Sequence, residues 1–413
     1  MAQLVVAPTV VLLVPIAPAP TGNGLAMRAG MLLDALAGVA AVHLVVVPVS
    51  GPADDCSWAA ARARSVTVVR PVTAASARDH LTRQLADPAL RDRLGRTSPL
   101  PARVTLAPPT LAPEVVAALT GGIGSPDAVV AMRIYLAPLG ITLAQLLGAG
   151  RVVVDADDDD AALLHHLGER DEAAAFERLA RCWLPDADAV LAASALEAGS
   201  LATRAGLDTV GVVPNAIAVP SGVPPAPGVG RLLFVGNLTY GPNGAAARLL
   251  ADEILPMVRT RHPGATLDIV GPHDARLARL SETPGVRIPG RVPEVGPYYA
   301  GADVVVVPLR HGAGTRIKVL EAFAHRRPVV ATPAAVAGLE VQPGRELMVA
   351  EAADDLVGAI GDLLDDPPRA AALVEAAADL VAARYCPAVV APLVRAAILG
   401  PDNHELPGGT VSA

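Results

Sequence analysis

The residues best placed to do chemistry lie between Ala302 and Thr332, in the stretch ADVVVVPLRHGAGTRIKVLEAFAHRRPVVAT. Four valines, Val304–Val307, read as a buried strand; the loop after them holds Gly312, Ala313 and Gly314, and a helix is expected to start near Thr315. Thr315 is the expected N-cap, with free backbone N–H groups around it at the positive end of the helix dipole. Strand, glycine loop and helix N-terminus together suit a phosphate, which the two glycines allow the backbone to approach closely. Arg316 and Lys318 put two cations in the first turn, where the dipole disfavours them unless an anion is bound. Lys318 is the only lysine of the chain. Where arginine serves as the generic cation, a retained lysine marks either a need for a compact ammonium or chance survival, and its place in this motif favours the first. Glu321, three residues on, has two readings on spacing alone. It accepts hydrogen bonds from the ribose hydroxyls of a nucleotide, or it pairs with Lys318 across one helical turn.

A second set of polar residues lies in the first half. Gly22, Asn23 and Gly24 follow a strand and open a helix, which suits close backbone approach to a sugar or acceptor but equally an ordinary tight turn. Arg28, one turn further, faces either a cleft or solvent, and Arg133 is a further candidate for the sugar or acceptor loop. In VVVDADDDDAALLHHLGER a strand ends in Asp155, Asp157, Asp158, Asp159 and Asp160 before a helix begins. The bland expectation is one capping aspartate with the others solvated; the functional one is that Asp157 or Asp158 acts on a ligand. His165 and His166, about two turns in, are expected to be satisfied or exposed.

The elements that must position these residues are short Val/Leu/Ile runs alternating with helices. The runs are Val10–Val14, Leu44–Val49, Ala128–Ala131, Val152–Asp155, Ala189–Ala193, Leu232–Val235, Thr266–Val270, Val304–Val307 and Val329–Ala331. Unbroken apolar strands separated by helices imply parallel sheets covered on both faces. Residues 216–230, rich in proline and glycine, read as a linker between a first α/β domain, 1–215, and a second, 231–385. The chain turns helical from Asp354, residues 386–400 form a last helix expected to return to the first domain, and 401–413 reads as a disordered tail. At 413 residues, 52% hydrophobic and 18% charged, the chain folds around sizeable cores. A net charge of 33 − 41 = −8 argues against a broad nucleic-acid surface. Cys56, Cys182 and Cys386 form no paired framework, no basic residue precedes Arg28, and the apolar runs are short or broken by Pro and Gly. A cytoplasmic protein without a transmembrane segment is expected, with peripheral membrane contact left open.

The Ala302–Thr332 stretch resembles the donor-binding signature of family 4 glycosyltransferases. RLLFVGNLTYGPNGAAARLLADEILPMV is similar to the first strand, loop and helix of that family's C-terminal domain, and ATLDIVG, GVRIPGRVPEVGPYYAGADVVVVP and GLEVQPGRELMVA follow in the family's order. In the first half, PIAPAPTGNGLAMRAGMLLDALA and DADAVLAASALEAGSLATRAGLDTVGVVPNAI resemble the opening βα unit and the run into the linker.

The resemblance implies a GT-B fold, two Rossmann-like doubly wound domains facing a cleft, with a helical C-terminal cap. It implies sugar transfer from a UDP-, GDP- or dTDP-sugar to an acceptor hydroxyl on a small molecule, lipid or polysaccharide, with retention of configuration and no metal. By it Glu321 binds the donor ribose, Arg316 and Lys318 contact the diphosphate, and Gly236, Asn237, Leu238 and Thr239 line the donor cleft with Gly312, Ala313, Gly314 and Thr315. Asp157 or Asp158 stands where the family often has a histidine near the reacting sugar. The Asp155-x-Asp157 pattern would hold a divalent metal in another glycosyltransferase fold, a role the GT-B reading does not need. Two departures stand out: Ala313 replaces a glutamate common in the family, and GNLTYGPN lacks the usual Arg and Lys, which Arg316 and Lys318 would replace as in the GTRxK branch. An inactive GT-B-like scaffold and a nucleotide-sugar epimerase are the alternatives. A nicotinamide-dependent oxidoreductase ranks below them, because a convincing G-x-G-x-x-G is missing.

Overall fold

A computed structural model describes residues 7–119, 122–311 and 316–400. Contacts divide the chain into two units, one built on Met1–Asn215 with the residues from Val390 on, the other on Ala216–Gly312 with Arg316–Val389.

The first unit holds a seven-stranded sheet: β1 (Thr9–Val14), β2 (Ala41–Val46), β3 (Ser65–Val68), β4 (Ala128–Met132), β5 (Val152–Asp157), β6 (Ala189–Ala192) and β7 (Gly211–Val212), in the order β3-β2-β1-β4-β5-β6-β7. The second holds β8 (Arg231–Val235), β9 (Thr266–Val270), β10 (Val286–Gly290), β11 (Val304–Val307), β12 (Val329–Ala331) and β13 (Met348–Val349), in the order β10-β9-β8-β11-β12-β13. Every pairing is parallel. Each sheet thus has the Rossmann order, in which the chain starts in the middle, runs to one edge, then crosses back and runs to the other. The nine apolar runs read from the sequence are the nine interior strands. Val10–Val14 and Val304–Val307 lie at or near zero exposure because both sheet faces carry helices.

Boundaries moved where packing outweighs composition. β2 starts at Ala41 and ends at Val46, three residues before the apolar run does. β5 continues to Asp157, through a register shift against β6 between Asp155 and Asp157. In the second unit the helix after β11 begins at Ile317, with Arg316 in the N-cap position, so Thr315 is not its cap. Gly312–Thr315 lie outside the described residues.

The Pro/Gly-rich segment before β8 is tied to the second unit. Asp303, immediately before β11, accepts hydrogen bonds from the backbone N–H groups of Gly228, Val229 and Arg231 at 2.6, 2.9 and 2.8 Å. Arg327, fully buried before β12, donates from Nη2 to the Pro224 carbonyl at 2.6 Å.

The C-terminal region is helical: Ala353–Asp365, Pro367–Leu380 continued by a wider turn at Val381–Tyr385, and Pro387–Leu399. Arg395 of the last helix donates to the Ala35 carbonyl of the first unit at 2.7 Å. By length and composition Pro367–Leu399 is the one described stretch apolar enough to cross a membrane, where the sequence suggested that no run suffices. The backbone breaks its helix at Cys386, which is extended, and Leu373, Val381, Val390, Val394 and Ile398 are buried in protein.

Candidate functional site

In an open Rossmann sheet, ligands bind beyond the carboxyl ends of the strands, where the strand order reverses. In the second unit that point lies between β8 and β11, and the loops leaving these strands carry Gly236–Thr239 and the segment leading into Arg316 and Lys318.

The β8 loop is stiff. Gly236 N–H donates to the Val270 carbonyl and Leu238 N–H to that of Pro272, both at 2.9 Å. Asn237 Oδ1 accepts from Thr239 N–H at 3.1 Å and Thr239 Oγ1 at 2.7 Å, closing an Asx turn. Gly271, at the end of β9, has φ +146, and a Cβ there would stand 1.8 Å from the Gly236 carbonyl oxygen. No side chain fits between these two loops. Leu238 differs from expectation in one respect: its side chain is 2% exposed and belongs to the core.

Lys318 reaches this loop from the helix Ile317–Ala324. Its Nζ donates to Asn243 Oδ1 at 2.6 Å and stands 5.1 Å from the centre of the Phe234 ring. A Cβ built on Gly236 would be 3.3 Å from Nζ, which places the ammonium directly beneath the β8 loop. Asn243 is in turn held by its Nδ2 donating to the Asn237 carbonyl at 2.8 Å. Burial and the nearby Arg316 charge pull the Lys318 ammonium down to about 8, because its hydrogen-bonding partner here is a neutral amide. An anion added beside it would reverse that.

Glu321 and Lys318 make no ion pair among the described residues, so pairing across one helical turn is not the contact Glu321 makes here. Glu321 Oε2 accepts from Tyr299 Oη at 3.0 Å, and burial pushes the carboxyl up to about 7. The Tyr299 ring stacks on His325, centroids 4.8 Å apart and planes 7° from parallel. Asn243 and Tyr299 are the residues that sequence reasoning missed. An asparagine in the first turn of a helix after a glycine-bearing loop was the available signal for Asn243; nothing in the spacing marks Tyr299.

In the first unit the corresponding point lies between β1 and β4. Gly22 has φ +100, and Asn23 caps the helix Gly24–Ala37 by accepting from Leu25 N–H at 2.9 Å, so the G-N-G is a turn and a cap. Arg28 is wholly buried and faces no solvent. Its Nε and Nη2 hold both Asp155 oxygens, at 2.8 and 2.6 Å; Nη1 donates to the Val213 carbonyl at 3.1 Å, and Asp157 Oδ1 lies 3.3 Å from Nε. Arg133, just after β4, contacts Asp157 at 3.2 Å, Asp158 at 2.7 Å and Asp160 at 2.5 Å. Arg133 and Asp157 have φ of 73 and 65 degrees, left-handed values that L residues adopt at an energetic cost and that cluster at ligand sites.

The aspartates are therefore not solvated. Asp159 is the cap, accepting from Ala162 N–H at 3.0 Å, and it also holds Ser200 Oγ and Arg204 Nε. Asp155 and Asp157 turn to arginine, and no group of three metal-ligating side chains occurs among the described residues. Asp158 Oδ1 and Asp160 Oδ2 are buried without a hydrogen-bond donor. His165 pairs with Glu177 at 3.0 Å and His166 meets the Ala162 carbonyl at 2.7 Å, both at the surface.

Residues 230–366 match the family described as "Glycosyl transferases group 1". Over 137 residues the chain is 36% identical to the GDP-mannose-dependent alpha-(1-6)-phosphatidylinositol monomannoside mannosyltransferase of Mycolicibacterium smegmatis. That match covers 29% of this chain and 35% of the relative's length. Among solved structures, Anabaena HepE in complex with UDP and glucose aligns with a TM-score of 0.65 at 15% identity, covering 93% of this chain and 97% of that one. Sucrose-phosphate synthase from Thermosynechococcus elongatus aligns with a TM-score of 0.62 at 16% identity, over 93% and 96% of the two chains. At such identities the likeness is one of fold, two Rossmann-like domains of parallel sheet.

Proposed function

We propose that this chain, a family 4-like member of the group 1 glycosyltransferases with the GT-B fold, moves a sugar from a nucleotide diphosphate sugar to an acceptor hydroxyl with retention of configuration. The observation that carries this reading is Lys318. The chain's single lysine is partly buried under the β8 loop at the strand-order reversal and, among the described residues, is hydrogen-bonded to a neutral amide alone. A buried ammonium whose nearby carboxylate, Glu321, only partly offsets burial and the Arg316 charge is unfavourable unless an anion completes it.

In this reading Lys318 and Arg316 face the diphosphate and Glu321 takes the ribose hydroxyls. The leaving diphosphate gains negative charge as the sugar becomes oxocarbenium-like, so fixed cations there favour the transition state over the ground state. In the first unit the unsatisfied oxygens of Asp158 and Asp160 are acceptors for a sugar or acceptor hydroxyl, with Arg133 fixing their direction. The donor's base and the acceptor's identity follow from experiment. HepE was solved with UDP and the mannosyltransferase relative is GDP-mannose-dependent, which makes UDP and GDP the first nucleotides to try.

The test is calorimetric titration of UDP, GDP and dTDP into the wild type and Lys318→Ala, with chelator present. One nucleotide is expected to bind, at least tenfold more weakly to the variant, or about 1.4 kcal/mol. Its affinity for the wild type falls as pH rises through about 8, where Lys318 loses its proton, and this limb is missing from the variant. Binding that ignores both the substitution and the pH would remove the reading; NMR of the product's anomeric proton then decides retention.

A further inference from the structure

The Lys318 ammonium is held by a residue of another helix, Asn243 in Gly241–Leu249. Asparagine is a weak helix former, and at 7% exposure both ends of its amide need partners. Both have them. Oδ1 accepts from Lys318 Nζ at 2.6 Å, and Nδ2 donates to the Asn237 carbonyl at 2.8 Å. Together these contacts fix which way the amide points, since a flipped amide would set N–H against the ammonium and oxygen against the carbonyl. Asn237 is itself tied into the Asx turn with Thr239, so the amide hangs from a stiff loop. Gly236 makes the room. A Cβ there would stand 3.1 Å from Asn243 Cγ and Nδ2 and 3.3 Å from Nζ, so amide and ammonium together fill the place of a side chain.

The charges that act on the ammonium come from its own side. Arg316, just before its helix, weakens its hold on the proton, and Glu321, one turn on, strengthens it. Tyr299, packed against the same helix, turns its hydroxyl to Glu321 and the Lys318 carbonyl. From the β8 side the ammonium meets the Phe234 ring, Gly236 and Asn243, and none of these is charged. A neutral amide directs the ammonium without neutralising it. A carboxylate in the same place would do both, and an incoming anion would then have to compete with it.

We propose that Asn243 is a positioning residue for Lys318: it holds the ammonium beneath the β8 loop and, being neutral, leaves its charge for the diphosphate. This inference rests on the donor-site reading of Lys318.

Because the chain has one lysine, labelling lysine with carbon-13 at Cε gives a single side-chain resonance whose pH titration reports Lys318 alone. Without nucleotide, the wild type is expected to titrate at about 8. Asn243→Asp keeps the size and replaces the amide by a carboxylate. Its lysine midpoint is expected well above that of the wild type. At pH 7 it should bind the wild type's nucleotide, UDP or GDP, at least about tenfold more weakly, although the ammonium is then fully charged. Asn243→Ala removes the acceptor and adds no charge, so binding again weakens while the midpoint does not rise. A residue that only fastened the β8 loop to its helix would weaken binding in both variants and leave the two midpoints alike. If Asn243→Asp does not fold, Asn243→Glu brings the carboxylate on a longer stem. An unmoved midpoint in the carboxylate variant, or wild-type affinity in either variant, would overturn the proposal. A wild type that binds no nucleotide fails the donor reading and this inference with it, whereas a binding wild type with indifferent variants fails this inference alone.

Discussion

Arg28 and Arg133 face four carboxylates, those of Asp155, Asp157, Asp158 and Asp160, so the cluster carries excess negative charge when all are ionised. Burial, and then the neighbouring Asp158 charge, push the Asp157 carboxyl up to about 8. The folded chain therefore holds a proton that the unfolded chain releases near pH 4, and stability falls as pH rises from there to about 8. Asp157→Asn supplies a neutral group that tolerates the left-handed backbone. Its thermal midpoint is expected to match the wild type near pH 4 and to exceed it by a growing margin up to about pH 8, several degrees at the top. A margin that is constant with pH would show that no proton is held. Of this site, Lys318 could be picked out from composition, since one lysine among 33 basic residues is conspicuous. The aspartates' partners could not, because Arg28 lies 127 residues from Asp155 and only folding brings them together.

At the scale of elements, the strands legible in the sequence are those with a neighbour on each side. β3, β7, β10 and β13 are the four sheet edges, and they are short or half-exposed, so no unbroken apolar run announces them. The linker carries more structure than its composition announces. Proline and glycine mark it as a boundary, yet Asp303 fixes Gly228, Val229 and the first residue of β8, Arg231, through three charge-assisted hydrogen bonds. Asp303→Asn keeps the shape, removes the charge and turns one acceptor into a donor facing donors. The expected loss is about 1–3 kcal/mol. Hydrogen exchange should quicken at residues 228–231 while the β9 and β12 amides keep their protection; unchanged exchange at 228–231 would mean that the carboxylate is not what holds the segment.

For the whole molecule, one topological order occurs twice, and each copy has its own reversal point with its own chemistry. The second is cationic and apolar-walled, at Lys318 and Phe234; the first is a network of carboxylates and arginines. A nucleoside diphosphate should therefore be read by the second unit. Added UDP or GDP is expected to slow exchange in peptides covering 236–243 and 316–321, with residues 22–28 and 155–160 unchanged. Protection confined to the first unit would reverse the assignment of donor and acceptor sides.

The contact between Gly271 and Gly236 reaches beyond the site it shapes. In a library holding every single substitution, position 271 should survive selection as one letter. Even alanine would put a methyl carbon 1.8 Å from a carbonyl oxygen, and the backbone angle there is already closed to it. The neighbouring position, Val270, is buried in a strand and should accept isoleucine or leucine far more readily. Two adjacent codons would thus carry opposite tolerances, and sequencing the survivors would locate the β8–β9 crossing without any structure in hand.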